Sequence, residues 1–354
     1  MYTAEMFPIV TVQGDPYECG IQHGKAVSNL IHKNIDVYLQ LIEFHSNLSP
    51  SAAFKKAEKY ITYIESYDVK LVEEMQGIAD GSGRKLAEIM LLNARTEMLS
   101  AIPLRECTSM AILPPASDNV WLAQNWDWLH LTTGLTILLK VKQLNKPSIF
   151  MMAEAGQIGK MGFNEVGIGL CHNALDANYH KIGLPFIIIC RVILNQWQLN
   201  DAINVLCESQ RASSGNYLIA HKGGFAIDFE VTPDKFDFFE PEKHILVHTN
   251  HFLSKQFQSD DNVLARNGWD SVIRKQRAAR LLEQEYGEIH FETISKIQSD
   301  LAFGTSSICV LPSKNMLELA QWSTLAGIIM NLSSMEIFVA PGLPCDVDYI
   351  KVDA

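Results

Sequence analysis

The chain has 354 residues, 47% of them hydrophobic and 19% charged, which supplies one large core and excludes a disordered chain. With 29 Lys and Arg against 40 Asp and Glu the formal charge is −11, so the basic surface that nucleic acid or an anionic membrane requires is absent. From about residue 20 to 100 the apolar spacing is helical. Ile21, Leu30, Ile31, Ile35, Tyr38, Leu39 and Ile42 fall on one stripe, and Leu71, Met75, Ile78 and Ala79 on another. Gly77, Gly81 and Gly83 predict a break, after which 86–98 resumes a helix. Beyond Pro103 short β-type runs follow one another at 108–113, 120–125, 136–141, 148–153 and 167–172. A helix is expected over 185–211, then strands at 216–221, 225–231, 236–239 and 245–248. Helices at 271–286 and 291–301 follow, and β-runs at 307–311, 317–322, 325–332 and 336–340 close the chain. This alternation predicts an α+β fold, two antiparallel sheets packed together with helices outside, in one compact domain.

The seven cysteines are odd in number and scattered, without a Cys-x-x-Cys pair, and predict free thiols in a reducing compartment. Residues 1–8 lack a basic-then-apolar leader, and the apolar run 184–194 contains Arg191 and is too short for a bilayer, so a soluble cytoplasmic protein is expected. No cofactor motif is present: no Gly-x-Gly-x-x-Gly after a strand, no P-loop, no His-Glu-x-x-His and no Gly-x-Ser-x-Gly. His248 and His251 are two ligand types without a third, a pattern that reads as a turn before it reads as a metal site.

Three segments carry the candidate chemistry. Cys107, Thr108 and Ser109 open the β-region directly after Glu106; Asn125-Trp126-Asp127 ends the second run; His248-Thr249-Asn250-His251 ends a later one. Singly, each reads as ordinary: a small buried Cys, packed tryptophans, an Asn in a turn. In this order they resemble the isopenicillin N acyltransferase-like family, the penicillin acyltransferases of peptidase family C45, which are self-cleaving N-terminal nucleophile hydrolases. The resemblance extends to Gly14-Asp15-Pro16-Tyr17-Glu18-Cys19-Gly20 with His23-Gly24, to Asn93-Ala94-Arg95-Thr96-Glu97, and to the block from Glu154-Ala155-Gly156 through Gly162-Phe163-Asn164 to Asn173-Ala174-Leu175.

The resemblance implies a four-layer αββα sandwich preceded by a mostly helical pro-region. It implies a precursor cut between Glu106 and Cys107, with 1–106 becoming a small α-subunit and 107–354 a catalytic β-subunit, together one compact α/β heterodimer. Cys107 would be the nucleophile and its freed α-amine the base, since an α-amine titrates near 7.7–8.0 and a lysine near 10.4. Asp127 would support the α-amine, Asn250 would donate to the oxyanion, Asn173 would line the same hole, and Thr108 and Ser109 would align the scissile peptide. The substrate would be a small N-acyl amine, with acyl-CoA as one donor. Separately from the resemblance, methionines and aromatics such as Trp126, Trp128, Phe163 and Trp197 are candidates for an apolar acyl pocket, and core packing is the expectation for most of them. No cofactor, nucleic acid or membrane partner is implied.

Two departures stand out. Better-known members have Gly where this chain has Glu106, a bulkier residue at the strained turn that cleavage uses. A fungal member carries an Arg in a Ser-Arg-Gly stretch, whereas 320–324 here contains none, which weakens the expectation of a β-lactam substrate. The competing readings are an uncleaved, non-catalytic binding protein that keeps the fold, and a papain-like Cys–His protease. The second needs its Cys at a helix start, whereas 108–112 reads as a strand.

Overall fold

The computed structural model describes residues 6–99, 107–177 and 179–353. Strand β1 (Ile9–Gly14) leads into six helices: α1 (Pro16–Ala26), α2 (Ser28–Ser46), α3 (Pro50–Tyr67), α4 (Val69–Ser82), α5 (Leu86–Asn93) and α6 (Arg95–Met98). Strands β2 (Cys107–Ile112), β3 (Trp121–Leu129), β4 (Thr136–Gln143), β5 (Ile149–Glu154), β6 (Met161–Asn164) and β7 (Ile168–Ala174) follow. Helices α7 (Phe186–Leu194) and α8 (Leu199–Glu208) come next, then β8 (Gly215–His221), β9 (Phe225–Val231), β10 (Phe236–Phe239) and β11 (Ile245–His248). Helices α9 (Asn262–Ala265), α10 (Trp269–Gln284) and α11 (Phe291–Gln298) precede β12 (Trp322–Asn331), β13 (Glu336–Ala340) and β14 (Ile350–Val352).

The strands form two sheets. The first has the order β1-β4-β5-β6-β7-β8-β9-β10 and the second β11-β2-β3-β12-β13-β14. All pairings are antiparallel except β1 with β4. The sheets meet through β2 and β3 against β7 and β8, with α7 on the far face of the first sheet and α10 and α11 on the far face of the second. The result is the αββα sandwich expected from the sequence. Alternation along β2 sorts the side chains: Cys107 and Ala111 face the core between the sheets, while Met110 and Ile112 face the core under α10 and α11. Among the described residues no helix is long and apolar enough to cross a membrane.

Several boundaries differ from the sequence reading. Helix α4 runs unbroken through Gly77 and Gly81 and ends only at Gly83, whose φ of +71° caps it. The long helix expected over 185–211 is two helices, parted at Asn195, whose side chain accepts from Arg191. All nine residues of α7 are buried, so no apolar stripe marks its end. The runs 307–311 and 317–322 are not strands. The first is coil whose Val310 is held by both the backbone and the hydroxyl of Thr324. In the second, Leu317 is exposed and a short 3-10 turn precedes β12, which begins at Trp322. Strands β1, β6 and β14 were not anticipated. Each is short, and β1 exists only by pairing with β4, a partner more than a hundred residues away.

Candidate active site

The site forms where one end of β2 and β3 meets the turn after β11 and the first turns of α10. Cys107 starts β2 and pairs in register with Trp126 of β3, so the two side chains are neighbours on the face turned toward the first sheet. The Cys107 nitrogen donates to Asn250 Oδ1 at 2.7 Å, and its thiol lies 3.9 Å from the Asp127 carbonyl oxygen. Burial, and after it the Asp127 carboxylate, pushes the Cys107 thiol up to about 12, so the thiol is protonated at neutral pH and needs a base to react. Glu106, the residue expected on the other side of the cut, lies outside the described residues.

Asp127 is not at a strand end as expected, because β3 continues to Leu129 alongside β12. Its carboxylate is fully buried, accepts from the Thr324 hydroxyl at 2.5 Å, and leaves Oδ2 without a partner among the described residues. Burial raises it to about 6, against the pull of Arg274. Thr324 lies in the stretch 320–324 that contains no Arg, and its hydroxyl addresses Asp127.

Asn250 is held from several sides. Its backbone N–H donates to Ser271 Oγ of α10 at 2.8 Å, and its Nδ2 donates to the Ala174 carbonyl at 3.1 Å. Thr249 donates to the Ser271 carbonyl, and His251 Nδ1 shares a 2.8 Å bond with Ser271 Oγ. His248 instead pairs with Glu230 at 2.7 Å through Nε2. The two histidines therefore point at different partners. Ser109 and Asn173 come together across the sheets: Asn173 Nδ2 donates to Ser109 Oγ at 2.7 Å and to Asn216 Oδ1 at 2.9 Å, which engages both of its N–H groups.

Two features were missed by sequence reasoning. The first is Arg274 of α10, buried, whose Nη1 donates to the Cys107 carbonyl at 2.7 Å and to Thr108 Oγ1 at 3.0 Å. Its Nη2 donates to Asn250 Oδ1 at 3.0 Å and to Asp270 at 3.4 Å. Nothing local marks it, because an Arg on an amphipathic charged helix reads as solvated. The second is Lys160, with no exposed surface, its ammonium 3.1 Å from the Trp126 ring centroid and 3.7 Å from Glu154. Glu154 is already bound by Arg95, Tyr38 and Gln157. Burial holds Lys160 well below its ordinary range. Of the expected acyl-pocket aromatics, Trp126, Trp128 and Phe163 are buried and Trp197 is exposed. A groove of about 530 Å³, edged by Trp269, Ile273, Met316 and Trp322, opens beside Asp270 on the α10 side.

A model of the acyl-coenzyme A:6-aminopenicillanic acid acyl-transferase family matches residues 115–311, a span that contains Asp127, Asn173, Asn250 and Arg274. The acyl-coenzyme A:6-aminopenicillanic-acid-acyltransferase 40 kDa form of Emericella nidulans is 29% identical over 248 residues, covering 69% of each chain. Among solved structures, penicillin V acylase from Agrobacterium tumefaciens is 14% identical over 70% of this chain and 86% of its own, with a TM-score of 0.49. A mutant conjugated bile acid hydrolase from Clostridium perfringens is 11% identical over 70% of this chain and 97% of its own, with a TM-score of 0.48.

Proposed function

Because the chain belongs to the acyl-coenzyme A:6-aminopenicillanic acid acyl-transferase family, we propose that it is a self-processed cysteine amide hydrolase or acyltransferase acting on N-acyl amines. Cys107, Asp127 and Asn250 are its working residues. The observation that carries this reading is the 2.7 Å bond from the Cys107 nitrogen to Asn250 Oδ1, with the Asp127 carbonyl beside the thiol. A nucleophile at the head of a strand, its own nitrogen already gripped by the polar group that would serve the oxyanion, is the geometry a one-residue nucleophile and base needs.

Processing begins when Cys107 Sγ attacks the carbonyl carbon of Glu106. The C–N bond breaks, the nitrogen takes a proton to become the α-amine, and a thioester remains. Water cleaves the thioester to a carboxylate and the free thiol, leaving 1–106 and 107–354 as two subunits. In turnover the α-amine accepts the thiol proton, which a thiol raised to about 12 does not release unaided. The thiolate attacks the acyl carbonyl, Asn250 Nδ2 stabilises the oxyanion, and the departing amine carries the proton away. Water or a second amine then takes the acyl group from sulfur. Acyl-CoA would load the same sulfur by exchange of one thioester for another.

Intact masses and a denaturing gel test the reading. Cleavage yields pieces of about 12 and 28 kDa, the shares of 39.7 kDa carried by residues 1–106 and 107–354. Cys107→Ala is expected to leave a single folded chain with no turnover of acyl 4-nitroanilides. A wild-type chain that stays whole, and behaves like Cys107→Ala toward every acyl donor, would instead identify a binding protein on the same fold.

A further inference from the structure

We propose that Arg274 is a positioning residue that fixes which way Asn250 presents its amide and clamps the first peptide of β2. The inference rests on the reading of Cys107 as an N-terminal nucleophile. An asparagine side chain can turn by half a rotation and exchange its oxygen for its nitrogen. Only one of the two orientations sends Nδ2, the donor, toward a developing oxyanion. Here Oδ1 is held by two donors, the Cys107 nitrogen at 2.7 Å and Arg274 Nη2 at 3.0 Å.

These two donors are not equivalent. Once Cys107 is N-terminal its nitrogen must accept a proton in every cycle, and in its neutral form it directs a lone pair at the thiol. The guanidinium of Arg274 offers five N–H groups and no acceptor, so it cannot tolerate a flipped amide at any stage. The same guanidinium reaches the nucleophile's backbone, with Nη1 on the Cys107 carbonyl at 2.7 Å and on Thr108 Oγ1 at 3.0 Å. A cut at Glu106 leaves β2 with a free end, and this fork holds that end in register.

A purely structural role fits the site poorly. Arg274 is 1% exposed, its Nε has no partner among the described residues, and its ion pair with Asp270 is loose at 3.4 Å. Burying a charge so incompletely paired is costly, and an apolar side chain would pack at less expense. Helix α10 instead grips Asn250 twice, through the Ser271 hydroxyl on its backbone and Arg274 on its side chain, one turn apart.

The test is pre-steady-state acylation by 4-nitrophenyl acetate, comparing wild type, Cys107→Ala, Arg274→Gln and Arg274→Lys. Burst amplitude, divided by the fraction of cut chain from intact mass, counts competent sites; the burst rate constant at saturating ester reports positioning. Arg274→Gln is expected to lose about 100-fold in rate constant, as when an oxyanion donor is removed, with the amplitude per cut chain preserved. If the variant folds with wild-type Tm yet stays uncut, the proposal is also supported, since processing forms the same oxyanion. Should Arg274→Gln not fold, Arg274→Lys is read in its place; it keeps the charge without the fork and is expected to lose at least tenfold. A loss below tenfold overturns the proposal and leaves the functional reading standing. Absence of a Cys107-dependent burst in wild type overturns the functional reading, and Arg274's role with it.

Discussion

Asp127 carries a folding cost, which the proposed role beside the α-amine would account for. Its carboxylate is raised from 3.8 to about 6 because burial outweighs both the Thr324 hydroxyl and the Arg274 charge. Below pH 3.8 folded and unfolded forms are both protonated and the cost is absent. Between pH 3.8 and 6 the unfolded chain gives up its proton first, so stability falls as pH rises; above 6 the whole cost is present. In a Cys107→Ala background, which keeps the chain whole, Asp127→Asn is expected to stabilise the protein at pH 7 by about 2–3 kcal/mol. The gain should vanish near pH 4 in urea titrations. With Cys107 restored, the same substitution should abolish processing. A destabilising Asp127→Asn would mean that the carboxylate serves the fold rather than the amine.

At the scale of elements, the glycines of the helical region do something other than interrupt it. Helices α1 and α4 cross at near backbone contact: a Cβ on Gly20 would sit 2.1 Å from the Glu74 carbonyl oxygen, and one on Gly77 2.2 Å from that of Tyr17. Alanine ordinarily favours a helix by about 1 kcal/mol over glycine. Here the obstructing atom is backbone, so the helices must part, and the overpacking cost of about 1–3 kcal/mol outweighs the propensity gain. Gly77→Ala should therefore lower the urea midpoint, whereas a solvent-facing helical glycine would raise it. The opening motif acquires a physical meaning too: Asp15 and Glu18 form a reciprocal capping box at the start of α1, and Gly20 admits α4. These matched motif residues build a helix pair, not a site.

Over the whole molecule, the helical region is wired into the sandwich by buried polar contacts. Arg191 of α7 makes a two-point pair with Glu74 of α4 at 3.0 and 2.8 Å, with both side chains buried. Arg95 binds Glu154 at 2.6 Å, Glu97 accepts from the Phe186 nitrogen and the Ser213 hydroxyl, and Asn93 bridges to Gly156 and Ile158. Strand β1 adds a backbone ladder to β4. If the chain is cut as proposed, its two pieces are therefore expected to co-elute as one particle and to separate only in denaturant. Arg191→Leu should cost about 3–5 kcal/mol by stranding the Glu74 carboxylate, and adding Glu74→Leu should restore much of it. A double variant no better than the single would show that Arg191 matters through the Ile158 carbonyl and Asn195, which it also binds.

Much of this was legible from residue order alone. Hydrophobic periodicity located eleven of the fourteen described strands and the helix-to-strand change at Cys107, because β2 and β3 satisfy their period within six to nine residues. Motif order brought Cys107, Asp127 and Asn250 into one hypothesis, and family membership was evident in the same residues. Tertiary structure alone decided the rest. Strand β1 forms only where β4 offers an edge, and α7, buried on every side, shows no stripe to end on. Gly77 reads as a breaker until α1 is seen against it. Arg274 sits 167 residues from the carbonyl it grips, on a helix whose polar face looks like any other. Local pattern reports what a residue does for its own element; a buried charge or a bare backbone has its reason on another element, and only folding brings the two together.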